Sequence, residues 1–381
     1  MRAILTGQVG LDKKQFVDQA ARLAADRGVN VACFNVGDRM YAENADVSPG
    51  RILDLPLSRL HSIRRSVFKD IIVESANLPR IIVNTHATFR WRHGLFRAFD
   101  FDQVERLRPD MFVCLVDNVE SIHHRLTREH TLDATLKDLM VWREEEILAT
   151  ELLSLATGCS NQCYVLPRGR FTPTAERLFQ LICRPNVPKV YLSFPMSHVY
   201  DMPEVLAEIE AFKAEIAKHL ITFDPADVDE KLLLESAIKA AKQGKDFVEA
   251  RTAAPDGSII TFPVSVKQVL EIAGDIDGQI YARDFQLVDQ SDMIVSLVPA
   301  LPGGVPAISS GVERELHHAY EHGKGVYVIW KPDRPPSPFI TETATHVFRT
   351  TGEALDYFRS SGMLESAPAE STNPLFDQRD T

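Results

Sequence analysis

The sequence predicts an α/β protein made of two three-layer α/β/α domains with parallel sheets. Three observations lead there. Short, strongly apolar runs recur at residues 80–84, 111–117, 293–297 and 325–330. Stretches with apolar residues at helical spacing separate them. The pattern restarts after a proline-containing break, Arg184-Pro185-Asn186-Val187-Pro188. Continuous apolar runs are strands buried on both faces, and helices between them make the strands parallel.

In order, Ala3-Ile4-Leu5-Thr6 reads as a strand, Gly7 to Gly10 as a turn, and residues 13–27 as a helix that Gly28 stops. A strand over 29–36 and a helix over 57–74 follow, then strands at 80–84 and 111–117. Helices at 119–128 and 131–157, a strand at 162–166 and a helix at 174–183 complete residues 1–183 as a first domain. Residues 184–188 form a linker. The second domain, 189–362, starts with a strand at 189–193, a helix at 203–218 and a strand at 220–223. A hairpin around Pro255-Asp256-Gly257 comes next, then a helix beginning at Asp284, a strand at 293–297, a helix at 311–322 and a strand at 325–330. Residues 363–381, rich in Ser, Pro, Ala, Asp and Glu, are expected to be disordered.

With 381 residues, 42 Lys+Arg and 53 Asp+Glu, the net charge is −11. A chain this acidic lacks the basic face that nucleic acid needs, though one pocket can still be locally positive. Apolar runs are too short to span a membrane and the N-terminus has no signal-like region, so a cytoplasmic protein is expected. The five cysteines are scattered; Cys159 and Cys163 have no second ligand pair at metal spacing, so no metal site is expected.

Strand, glycine loop and helix make the setting in which backbone N–H groups hold phosphate. Here Gly7-Gln8-Val9-Gly10-Leu11-Asp12-Lys13-Lys14 keeps the first glycine and the lysine of the P-loop pattern. Asp12 replaces the last glycine, and Lys14 the magnesium-binding hydroxyl. With Phe34-Asn35-Val36-Gly37-Asp38-Arg39-Met40, Ile82-Val83-Asn84-Thr85-His86-Ala87 and Glu120-Ser121-Ile122-His123-His124-Arg125-Leu126-Thr127-Arg128, the first half resembles archaeal-type adenylate kinases. The resemblance implies a nucleotide, ATP, held by Gly7, Gly10, Lys13, Lys14, Arg125 and Arg128. Asn84 stands where those kinases have a magnesium-supporting Asp, so three departures weigh together against magnesium.

In the second half, Asp284 and Ser291-Asp292 precede an apolar strand, and Ser309-Ser310-Gly311 opens a helix bearing Glu315. Acidic side chains at the carboxyl edge of a parallel sheet face the ligand crevice, and a helix N-terminus beside serines suits a phosphate. A carboxylate near an anomeric carbon can act as nucleophile, and a second as acid or base. Together with Tyr191-Leu192-Ser193-Phe194-Pro195, Ile280-Tyr281-Ala282-Arg283-Asp284 and Gly311-Val312-Glu313-Arg314-Glu315, this half resembles the nucleoside 2-deoxyribosyltransferase family. Ser309, where the transferases carry Asp, makes it more similar to the deoxynucleoside 5′-monophosphate N-hydrolases. The resemblance implies Glu315 as nucleophile, Asp284 acting on the base, Tyr191 orienting Glu315, and Ser309, Ser310 and Gly311 on the 5′-phosphate. Arg283 and Lys331 are further candidates for that phosphate. The implied reaction is cleavage of the N-glycosidic bond of a nucleotide, with no metal; domains of this family also assemble into homo-oligomers. The alternatives are an active nucleoside monophosphate kinase with a regulatory second half, and a non-catalytic nucleotide sensor.

Overall fold

The computed structural model describes residues 1–48, 50–91, 94–129, 134–169, 174–196, 199–254 and 258–364. The chain forms two compact units, Met1–Pro185 with Phe223–Gln290, and Asn186–Thr222 with Ser291–Thr381. The expected hairpin turn at 255–257 and most of the expected disordered tail lie outside the described residues.

The first unit opens with β1 (Arg2–Thr6), α1 (Lys13–Asp26), β2 (Ala32–Asn35), α2 (Val36–Ala42) and α3 (Leu57–Glu74). β3 (Ile81–Asn84), the antiparallel pair β4 (Thr88–Trp91) and β5 (Gly94–Arg97), α4 (Phe101–Leu107) and β6 (Met111–Val116) follow. Then come α5 (Val119–Glu129), α6 (Leu136–Ala156), β7 (Cys163–Pro167) and α7 (Ala175–Cys183). The sheet is parallel in the order β2-β3-β1-β6-β7. Every residue of β3 and β6 is buried, which is why their sequences are unbroken apolar runs. The structure starts α6 at Leu136, where Thr135 accepts from the Asp138 N–H and Asp138 accepts from the Thr135 N–H, a reciprocal cap.

The chain continues through β8 (Lys189–Ser193), α8 (Pro203–Ala217) and β9 (Ile221–Phe223) of the second unit. It then returns to the first with α9 (Lys231–Lys242), β10 (Phe247–Ala253), β11 (Ile259–Ser265), α10 (Val266–Glu271) and α11 (Ala273–Asp289). Residues 223–290 therefore do not belong with the rest of the expected 189–362 domain. Their partners explain why. Arg143 on α6, 1% exposed, donates to Glu230 at 2.5 Å, to the Asp117 carbonyl at 3.0 Å and to Gln279 at 2.6 Å. Arg283 donates to the Val228 carbonyl at 2.5 Å and lies 3.7 Å from Glu230. The Gln290 amide takes both polar backbone groups of Val165, at 2.8 and 2.9 Å, serving as a neighbouring strand for the sheet edge at β7. None of these partnerships is local in sequence.

The helix expected to begin at Asp284 begins at Ala273, so Asp284 sits in its interior instead of capping it. Gly274 and Gly278, weak helix formers, hide that early start in the sequence.

The second unit resumes with β12 (Met293–Val298), the small pair β13 (Ala300–Leu301) and β14 (Val305–Pro306), and α12 (Ser310–Glu321). β15 (Gly325–Trp330), α13 (Pro338–Thr341), β16 (His346–Phe348) and α14 (Thr351–Ser360) close it. Its sheet runs β16-β15-β12-β8-β9, with β8, β12, β15 and β16 parallel to one another. Read from β9, that is the flavodoxin-like order 2-1-3-4-5.

Candidate functional site

The first unit's glycine loop follows β1. Gly7 has φ 135° and Gly10 φ 87°. A Cβ on Gly7 would lie 2.7 Å from the Leu115 carbonyl oxygen, and one on Gly10 would lie 2.9 Å from Leu126, so both positions require glycine. Asp12 takes a left-handed φ of 49°, a conformation Asp tolerates better than most residues. The loop is fastened from below by Glu146 of α6, 1% exposed. Its carboxylate accepts from Gly7 N at 2.9 Å, Ala87 N at 2.7 Å, Thr88 N at 2.7 Å and the Thr88 hydroxyl at 2.6 Å.

Lys13 begins α1. Its ammonium donates to the Gly7 carbonyl and lies 2.9 Å from Nδ1 of His86. Burial pulls the Lys13 pKa down to about 7, against the pull of Glu146. His86 is pushed well below its ordinary range by burial and by Lys13. The pair lines a cavity of about 480 Å³ that also includes Gln8, Val9, Asn84, Phe89 and Trp91. Across it, α3 contributes Arg64, only 2% exposed, whose guanidinium lies 5.7 Å from the centre of the Phe89 ring. Burial, with Arg97 nearby, lowers the Arg64 pKa to about 10, and its Nη1 has no hydrogen-bond partner. A buried donor left unpaired is costly, and an anion in the cavity would satisfy it.

The other expected phosphate ligands are placed differently. Lys14, exposed, pairs with Asp38 of α2 at 2.6 Å, both at the cavity wall. Arg125 bonds Asp117 at the end of β6 and lies 3.9 Å from Asp12. Arg168 sits 3.4 Å from Asp12 and 3.6 Å from Asp117. Two arginines thus bridge two carboxylates, which removes the clash that Asp12 alone would present to a phosphate. Arg128 is exposed on the last turn of α5 and is not among the residues lining the cavity.

Magnesium, which the P-loop resemblance implies, does not fit these residues. Lys14 puts an ammonium where a hydroxyl would ligate, and the Asn84 amide donates to Asn35 at 2.8 Å in place of a carboxylate. Among the described residues lining the cavity, the carboxylates are Asp12 and Asp38, both already paired with cations.

The second unit carries a different site. In its strand order the chain reverses direction between β8 and β12, and ligands of such sheets bind at the carboxyl ends of the strands at that point. Tyr191 and Ser193 lie there on β8, both 0% exposed. Glu315 reaches them from α12: Tyr191 donates to its Oε1 at 2.9 Å, and Ser193 to its Oε2 at 2.6 Å. Burial raises the Glu315 pKa, and the Ser193 and Tyr191 bonds hold it back. Ser309 caps α12 by accepting from Val312 N at 3.2 Å, while Ser310 and Gly311 are exposed on its first turn.

Tyr191 and Glu315 are therefore brought together as expected, with the helix N-terminus of Ser309–Gly311 on the same helix as Glu315. Asp284 lies in the interior of α11, in the stretch that groups with the first unit. Arg283 is buried at 5% exposure and engaged by Val228 and Glu230. Lys331 pairs with Glu208 at 3.3 Å.

The family model described as an AAA domain matches residues 7–143, which span the glycine loop, β3, α5 and the start of α6. A crystal structure of shikimate kinase from Bacteroides thetaiotaomicron is similar at 16% identity and a TM-score of 0.32, covering 48% of this chain and 97% of that one. No curated protein matches the sequence.

Four residues of these sites escaped the sequence reading of roles: Arg64, Glu146, Arg168 and Ser193. Glu146 sits in the run Glu144-Glu145-Glu146, which reads as a solvated helix face. Ser193 does carry a signal, since it stands two residues from Tyr191 on one strand and so shares its face.

Proposed function

We propose that the first unit binds a nucleoside phosphate in the cavity between the glycine loop and α3. The observation that carries this reading is the pair of buried cations, Lys13 and Arg64, facing one 480 Å³ cavity with the Arg64 Nη1 unpartnered. The loop amides and Lys13 take phosphate oxygens, Arg64 takes a second anionic group, and Phe89, Trp91 and Tyr41 supply apolar walls for a ring. Two cationic ends also suit the donor and acceptor of a kinase. The absence of a fitting magnesium ligand set favours binding over phosphoryl transfer. Equilibrium titration with ATP, ADP and AMP tests this: binding that Lys13→Ala and Arg64→Leu each weaken supports it, and no binding overturns it. ADP formed from ATP and AMP would make the unit a kinase.

A second reading is favoured by the Tyr191–Glu315–Ser193 arrangement: the second unit cleaves the N-glycosidic bond of a nucleoside monophosphate. One Glu315 oxygen attacks the anomeric carbon as the carbon–nitrogen bond to the base breaks. Water then hydrolyses the resulting sugar ester, releasing sugar phosphate. Tyr191 and Ser193 fix the carboxylate, and Ser309 with the first-turn amides of α12 holds the 5′-phosphate. Free base detected by chromatography from the wild type, and none from Glu315→Gln, would support it; equal release by both would overturn it.

A further inference from the structure

We infer that the glycine-loop cavity takes its nucleoside phosphate as the metal-free anion, so that magnesium competes with binding instead of assisting it. This rests on the nucleotide-binding reading of the same cavity. Its walls present three cationic side chains, Lys13, Lys14 and Arg64, against two carboxylates, Asp12 and Asp38. Asp38 is held by Lys14 at 2.6 Å, and Asp12 by Arg168 at 3.4 Å with Arg125 at 3.9 Å. No carboxylate among the described lining residues is left to face a divalent cation without first leaving a protein cation.

The neutral groups do no better as metal ligands. Asn84 donates through Nδ2 to Asn35, and its buried Oδ1, which has no hydrogen-bond partner, offers a single amide carbonyl. Magnesium takes up to six hard oxygens in octahedral array and favours carboxylates, water and phosphate over one amide. The work a metal does for a nucleotide, neutralising phosphate charge, falls here to fixed side chains. Lys13 lies at the loop, Lys14 one residue on, and Arg64 opposite, its Nη1 buried without a partner. A magnesium–nucleotide complex brings two positive charges into this cation-lined space and screens the phosphate oxygens from the groups built to receive them.

The test is calorimetric titration of ADP into the full chain, once in EDTA and once in excess magnesium chloride, at matched ionic strength so that general screening is constant. Binding about tenfold or more tighter in EDTA is the expected result. Binding that requires magnesium, or is tighter with it, overturns the inference while leaving the nucleotide-binding reading intact. No binding in either condition overturns that reading, and the inference with it. The double variant Lys14→Thr/Asn84→Asp, its folding checked by circular dichroism, restores a hydroxyl and a carboxylate. Its metal preference should move toward magnesium, and an unchanged preference would contradict the role given to these two residues.

Discussion

The two sites solve opposite electrostatic problems. The glycine-loop cavity of the first unit gathers two buried cationic side chains, Lys13 and Arg64, with the Arg64 Nη1 unpartnered; the β8–α12 site of the second holds one carboxylate fixed by two neutral hydroxyls. Burial acts on both by disfavouring charge, so it lowers Lys13 and raises Glu315. On the proposed reading, the buried cations of the first unit are a binding device for an anion. On the reading proposed for the second unit, the carboxylate held in place with a raised pKa is a chemical one, since its charge becomes favourable as positive charge develops on a reacting carbon.

The sharpest way to break this comparison is Glu315→Gln. If Glu315 is the nucleophile, this change should lower base release by roughly 10⁶-fold, the order expected when a nucleophile is removed, measured by product chromatography. Next in size is Arg143→Ala, which leaves Glu230 charged and buried without its closest partner. Urea unfolding should show a loss of about 3–5 kcal/mol; a loss near zero would mean that residues 223–290 are not anchored through this pair.

Lys13→Ala should weaken ATP binding by about 10–100-fold, the loss of a charge-assisted hydrogen bond. Its pH dependence sharpens the point. With a pKa of about 7 in the ligand-free protein, Lys13 is largely neutral above that pH, and a bound phosphate restores its proton. Affinity should therefore fall as pH rises above about 7, with proton uptake on binding measurable by calorimetry in buffers of different ionisation enthalpy. The Lys13→Ala variant should lose that dependence.

The smallest effects belong to the hydroxyls on Glu315. Tyr191→Phe and Ser193→Ala each remove a donor to the charged carboxylate, so each raises its pKa further. The acid limb of kcat/KM should shift to higher pH in both variants, with about tenfold lower activity on its acid side. An unshifted limb would assign those hydroxyls to packing.

The layers of the fold were legible because strands such as β3, β6, β12 and β15 are buried nearly throughout and read as apolar runs. The placement of residues 223–290 was not, because Arg143–Glu230 and Gln290–Val165 link residues 87 and 125 positions apart. Of the candidate sites, Lys13, Tyr191 and Glu315 could be read from local motifs. Arg64 could not: one of three arginines on an amphipathic helix looks solvated, and only the packing of α3 shows that it is buried and lines the cavity.

The most direct test of the central proposal is titration of ATP into the wild-type protein and the Lys13→Ala variant in EDTA. Saturable binding to the wild type that the variant loses is the predicted result. Equal binding by the two would place the nucleotide elsewhere and contradict the glycine-loop site.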